Sequence, residues 1–433
     1  MNWKRLVPEL LRRRLAGRTK VQASLFYASS SVVCLVLRFT GLIISTRLIG
    51  KAQFGLFAQG ALALSLTSLV REIGQTTALQ SYQGKDPRYP VFHFQLSGFL
   101  GLAAAGLLWV ALAALPGIPI ELRHASPLLA IIILAETLTF TGQAMAQREF
   151  RFAMLGGVEI AALAAWLGTL MVASGRVSGL LALVYAQFAE VVLRCVAIFI
   201  ASGCRYVGIA GGDDLKHYYF SKFTRHLLPQ TILQTLVSRL DYLLLSVFSS
   251  RDELGIYERM LQYVRIPWCV SINLIDRVIL IAYSREQDDP AALRQTLRKA
   301  TRLIAAAVLV ATAATTLAAA IGLQFLVGPD WARTILRHWW AALPFTLLTP
   351  FVWNLNIFCQ GTGRAPQLLR NAVFLFIATL PAGLLAAPKY GAFGMLLAQG
   401  AAYAALLIFQ TRVVRAALAE KSAGAQAEPR RAP

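Results

Sequence analysis

The sequence predicts an all-α polytopic membrane protein, with twelve transmembrane helices in two six-helix lobes around a central cavity. Three observations carry this. Apolar stretches of about 18 residues or more, each able to cross a hydrocarbon core of ~30 Å, recur along the whole chain. The 433 residues are 57% hydrophobic and 15% charged, where a soluble protein would be about 25% charged. Cations are divided unequally between alternate loops, and two short segments at an offset of 200 residues align without gaps.

In chain order, MNWKRLVPELLRRRLAGRTK comes first, with seven cations and one acid, and no short apolar core with a small-residue cleavage site follows it. Residues 1–22 read as a basic cytoplasmic segment. Trp3, Leu6, Val7, Leu10 and Leu11 share one helical face, so it either lies along the membrane surface or is a charged tail that fixes topology. Helices are then expected near 24–48, 54–80, 92–115, 126–146, 152–174 and 178–201, the N-terminal lobe of residues 23–202. A second set follows near 226–248, 254–282, 302–326, 338–360, 368–387 and 391–413, the C-terminal lobe of residues 226–415. Gly/Pro-bearing links such as GKAQFG, PGIPIELRHASP, SGRVSG and APKYGA separate several of them. The longest loop, a cytoplasmic linker over 203–225, is too short for a folded soluble domain. Residues 416–433 read as a disordered cytoplasmic tail.

With the N-terminus inside, 27 Lys and Arg fall on the cytoplasmic side and seven on the other, namely Lys51, Arg123, Arg176, Arg251, Arg333, Arg337 and Lys389. That asymmetry places both termini in the cytoplasm. The aligned segments are GKAQFGLFA (50–58) and SRDELGIYE (250–258), in which Gly55 matches Gly255, Phe54 Leu254, Leu56 Ile256 and Phe57 Tyr257. Each follows an outward-going helix, the first and the seventh. Two halves of the same orientation are expected, and transporters built this way commonly hold substrate between the halves.

Several function classes are excluded. The net charge of +21 reflects cytoplasmic-loop cations, and no compact basic domain exists to bind nucleic acid. Cys34, Cys195, Cys204, Cys269 and Cys359 are isolated, without a CxxC or a histidine cluster, so neither metal nor disulfide chemistry is expected. No Gly-rich phosphate loop, nucleophile elbow or cofactor motif occurs, so the chain does not read as an enzyme or an ATPase.

The candidate site residues are charges inside spans, which are costly there and mark cavities or buried pairs. Arg38 lies about fifteen residues into the first helix, roughly 22 Å along its axis, too deep to snorkel easily. Arg47, one turn from the outer end, points to the opposite side unless Gly41 distorts the helix. Arg239 and Asp241 lie mid-span in the seventh helix. Glu258, Arg259, Arg265, Asp276 and Arg277 surround Pro267 in the eighth, where the proline should bend the helix. Arg71 and Glu72 are adjacent in the second helix and Glu136 is mid-helix in the fourth, while Glu190 and Arg194 form an i,i+4 pair in the sixth. Two accounts of the arginines stand side by side. In one, Arg38, Arg239 and Arg265, with Arg47 and Arg71, line a wet cationic cavity for a phosphorylated or pyrophosphorylated substrate. In the other they neutralise Asp241, Glu136 and Glu72, which serve as charge-pair or coupling groups.

Four segments carry a family resemblance. They are TRLIGKAQFGLFA (46–58), REIGQTTALQ (71–80), AQREFRF (146–152) and RLDYLLLSVFSSRDELGIY (239–257). With them, residues 22–415 resemble bacterial polysaccharide exporters: the O-antigen and exopolysaccharide lipid-linked oligosaccharide flippases of the multidrug/oligosaccharidyl-lipid/polysaccharide (MOP) exporter superfamily. One departure is Ile281 in VILIAYS, where family members usually have proline. The resemblance implies alternating access around a cationic cavity in the bacterial inner membrane. It also implies undecaprenyl-pyrophosphate-linked oligosaccharide as cargo, with a polysaccharide polymerase and chain-length regulator as partners beside the bilayer itself. In it, Arg38 meets the pyrophosphate and Arg47 belongs to a helix-end motif. The competing readings are a cation-coupled drug or metabolite exporter of the same superfamily, a fourteen-span peptidoglycan-precursor flippase, and a membrane glycan polymerase or ligase.

Overall fold

A computed structural model of the chain describes residues 20–71, 79, 88–149, 151–204, 206–208, 225–273, 276–287 and 289–427. Glu72, most of REIGQTTALQ, residues 1–19 and most of the linker at 203–225 lie outside them. Among the described residues every regular element is a helix. They are α1 (Lys20–Leu48), α2 (Lys51–Arg71, with a turn at Thr67), α3 (Arg88–Ala114), α4 (Ile120–Arg148), α5 (Phe152–Ala173) and α6 (Gly179–Ser202). There follow α7 (Arg225–Phe248), α8 (Arg251–Asn273), α9 (Asp276–Arg285), α10 (Pro290–Val327), α11 (Pro329–Gly361) and α12 (Ala365–Ala427).

Gly391 divides α12 into two helices: its φ of 54° and ψ of −136° leave the helical region, which a residue without Cβ can do cheaply. Counting α8 with α9 as one and α12 as two, the described residues form twelve helices, in line with the twelve that the sequence predicts. Eight helices among the described residues are long and apolar enough to cross a membrane by length and composition alone. The long helices outside that set are α1, α7 and α8. These carry Arg38, Arg47, Arg239, Asp241, Glu258, Arg259 and Arg265.

α12 runs on through residues 416–427, which the sequence reading takes as part of a disordered tail. Two helix starts also differ from expectation, for one reason. α10 begins at Pro290 rather than 302, and α11 at Pro329 rather than 338. Hydropathy falls where cations begin, but helical geometry does not. The Asp289 side chain accepts from the Ala291 and Ala292 amides at 2.9 and 3.1 Å, with proline at the first helical position of both α10 and α11. α8 continues through Pro267 to Asn273.

The chain divides into two compact units, Met1–Ile49 with Gln59–Thr235, and Gly50–Ala58 with Leu236–Pro433. In the first, α4 packs against α3 and α6, and α1 against α5. Small residues allow close approach, as is usual between membrane helices. A methyl on Gly101 of α3 would lie 3.0 Å from Thr137 Cβ of α4, and one on Gly41 of α1 would enter the Trp166 ring of α5. α1 is nevertheless helical through Gly41, which makes room for a neighbour without distorting its own helix.

In the second unit, α10, α11 and the second half of α12 close over a core that includes Tyr283, Ile304, Phe358 and Leu418. Asn356 of α11 accepts from Asn371 and Gln410, on the two halves of α12, at 2.9 Å each. At the Gly391 break, Glu253 of α8 accepts from the Ala392 amide at 2.7 Å, placing a carboxylate at a helix N-terminus.

The repeated segments meet in this unit. A methyl on Gly55 would overlap the Arg251 carbonyl, and one on Gly255 would overlap the Lys51 carbonyl. The matched glycines therefore cross backbone on backbone, each supplying the space the other needs. Around them the Arg259 guanidinium lies 3.4 Å from the Phe54 ring centroid. Lys51 Nζ reaches Thr334 Oγ1 at 2.9 Å, and Phe54 packs edge-on to Trp331.

Candidate functional site

Charged side chains inside the spans form one cluster in each unit, with a separate pair in the first. In the first unit, Arg38 Nη2 of α1 lies 2.7 Å from Glu159 Oε1 of α5. Glu159 Oε2 lies 3.2 Å from Arg194 Nε of α6, and Arg194 Nη2 lies 2.5 Å from Glu190 Oε1. The result is an alternating chain, Arg38–Glu159–Arg194–Glu190, whose formal charges cancel. Its ends differ. The Arg194 and Glu190 side chains are 15% and 16% exposed, whereas that of Arg38 is 59% exposed. A guanidinium carries five N–H donors, so Arg38 can hold Glu159 and still offer others.

Glu159 was not among the sequence candidates, although a signal was present: it is the one charge between Phe152 and Gly175 in an otherwise apolar run. The residues weighed as partners for Arg38 were Glu72, Glu136 and Asp241. Glu136 pairs instead with Arg71, Oε2 to Nη1 at 2.6 Å, and Arg71 also faces the Phe140 ring at 5.6 Å. The Glu190–Arg194 pair is local, as its i,i+4 spacing suggests, but it is also one end of the longer chain.

Arg71 is 7% exposed in its side chain and Glu136 is 39% exposed. Truncating one member of a buried ion pair costs more than neutralising both. Arg71→Gln is therefore expected to lower the thermal midpoint of the detergent-solubilised protein, and Arg71→Gln with Glu136→Gln to recover part of the loss. A double-mutant cycle on the unfolding midpoints should give a coupling of about 0.5–3 kcal/mol; strictly additive shifts would mean that the pair contributes nothing.

In the second unit, Asp241 of α7 is 6% exposed and accepts from the Tyr257 hydroxyl of α8 at 2.5 Å and from the Tyr242 amide at 2.9 Å. The Tyr242 hydroxyl donates to Glu258, which also accepts from Gln262 at 2.5 Å. The motif RLDYLLL thus supplies a carboxylate and a tyrosine, and GIYE supplies a tyrosine and a carboxylate, paired crosswise between α7 and α8. Arg239 lies over the Tyr242 ring at 5.6 Å, and Arg265 is exposed. Arg259 is 2% exposed at the glycine crossing, and Arg47 is exposed near the end of α1. A cluster of this kind can hold or pass a proton, and its neighbouring guanidiniums can bind an anion. Among the described residues no group of three His, Cys, Asp or Glu side chains could hold a metal ion.

Residues 44–336 match the model of a family described as polysaccharide biosynthesis protein. The chain belongs to that family. Solved membrane transporters share the fold of this family member. It superposes on the lipid II flippase MurJ in an inward closed conformation with a TM-score of 0.69, 11% identity, and 90% of this chain and 87% of that one covered. An inward-facing multidrug resistance MATE family transporter gives a TM-score of 0.63 at 12% identity, covering 92% and 95%. The Vibrio cholerae MATE transporter VcmN gives 0.63 at 12% identity, covering 93% and 98%. At such identities the likeness is one of fold. Comparison with curated protein sequences gives no match. The resemblance carried by segments 46–58, 71–80, 146–152 and 239–257 is met by these findings. So is the all-helical, multi-pass membrane fold.

Proposed function

We propose that this polysaccharide biosynthesis family member flips undecaprenyl-pyrophosphate-linked oligosaccharide repeat units across the bacterial inner membrane, for O-antigen, capsule or exopolysaccharide synthesis. Transport is by alternating access, with both termini cytoplasmic and a polymerase and chain-length regulator acting on the delivered units. The observation that carries the reading is the family match over residues 44–336, beside a mid-span arginine whose side chain is 59% exposed. An arginine at that depth is costly against lipid, so its exposure favours a wet surface, where guanidinium binds phosphate bidentately. Arg38 is the leading pyrophosphate group. Arg239 and Arg265 are its counterparts in the second unit, and Asp241 is the coupling carboxylate. Arg47 and Arg71 have supporting roles at a helix end and in a buried pair.

Deleting the gene should leave lipid-linked oligosaccharide facing the cytoplasm and remove the surface polysaccharide, with drug tolerance unchanged. Intact surface glycan in a strain without a second flippase would count against the proposal. Lost drug tolerance would favour the rival drug or metabolite exporter.

A further inference from the structure

The second unit holds a cleft of ≈ 680 Å³ lined from α10, α11 and the second half of α12. Four arginines border it, Arg294, Arg298, Arg302 and Arg415, and no acidic residue does. Arg294, Arg298 and Arg302 recur every fourth residue, which aligns them along one flank of α10 for about 12 Å at 1.5 Å per residue. None of the four is within ion-pair distance of a described carboxylate. Most of the remaining lining is apolar, with Phe351 and Leu407 among it. One buried polar group also lines it: Asn354, 1% exposed, donates to Thr301 Oγ1 at 3.4 Å and accepts from the Tyr283 hydroxyl at 3.1 Å.

Topology-setting cations account for positive charge at this end of the helices, but not for its gathering around a concave, largely apolar space. Such a space fits a molecule with an anionic phosphate head and an acyl chain. We propose that it is a binding site for one anionic phospholipid, phosphatidylglycerol-like, from the leaflet facing the start of α10. The guanidiniums hold the phosphate, and the acyl chain lies against Phe351 and Leu407. The cleft contains none of Arg38, Arg239 or Arg265, so it is separate from the transport residues.

The test is native mass spectrometry of the full-length protein, purified with equal amounts of phosphatidylglycerol and phosphatidylcholine. The wild type should retain one phosphatidylglycerol in preference to phosphatidylcholine. Arg298→Gln with Arg302→Gln should cut that retention roughly tenfold or more, because each cation near an anionic head strengthens its hold severalfold. Arg298→Lys with Arg302→Lys, which keeps the charge and the fold, should retain most of it. Thermal protection should come from phosphatidylglycerol and not from millimolar inorganic phosphate. Equal retention of the two lipids, unchanged retention in the glutamine variant, or equal protection by free phosphate would each overturn the assignment.

Discussion

Gly55→Val should abolish accumulation of folded protein, and Gly255→Val should do the same. At each position a Cβ would run into a backbone carbonyl of the facing segment, Arg251 for Gly55 and Lys51 for Gly255. Overpacking ordinarily costs about 1–3 kcal/mol, because side chains give way. Here the obstacle is main chain inside a helix, which cannot move without breaking hydrogen bonds, so the cost should exceed that range. Phe54 under Arg259 and Lys51 against Trp331 would be displaced as well. Gly157→Ala is the control: nothing lies within 4 Å of its Cβ, and alanine in mid-helix should be neutral or stabilising. Fluorescence-detected size exclusion of membrane extracts reads both outcomes. A monodisperse Gly55→Val peak at wild-type height would show that the crossing is looser than the geometry implies.

A comparably large effect is expected at Arg194. It lies between Glu159 and Glu190, with its side chain 15% exposed. Arg194→Ala leaves both carboxylates without that partner inside the spans, and breaking a buried pair in this way costs roughly 3–5 kcal/mol. Abundance should collapse, and Arg194→Ala with Glu190→Gln should restore part of it. Arg38→Ala differs, because Glu159 keeps Arg194 at 3.2 Å and the Arg38 side chain is largely exposed. The protein should accumulate near wild-type level while glycan export is lost. Arg38→Lys should be partly active, since it keeps the charge and loses the planar fork. If Arg38→Ala instead depletes the protein and Glu159→Gln rescues both abundance and export, Arg38 serves the fold and not the substrate.

Much of the fold could be read from the sequence because membrane spans are written as long apolar runs. The glycine crossing was also visible, as the alignment of residues 50–58 with 250–258. What the alignment does not contain is that the two glycines touch, since contact at long separation has no periodicity of its own. The helix starts at Pro290 and Pro329 are not legible in hydropathy, which measures the hydrocarbon core, whereas local chain geometry decides where helices begin. The charge pairing was half legible. Glu190–Arg194 follows from i,i+4 spacing, but Arg38–Glu159 joins residues 121 apart and Arg71–Glu136 joins residues 65 apart. Pairs of that kind depend on which helices become neighbours.

The most direct measurement uses proteoliposomes holding the purified protein and a polyprenyl-pyrophosphate-linked oligosaccharide, with the fraction of glycan open to an added glycosidase followed over time. Wild-type protein should speed transfer of the glycan between leaflets well beyond protein-free vesicles, and the Arg38→Ala protein, reconstituted at equal density, should not. Transfer no faster than in protein-free vesicles, or an Arg38→Ala rate equal to wild type, would contradict the account.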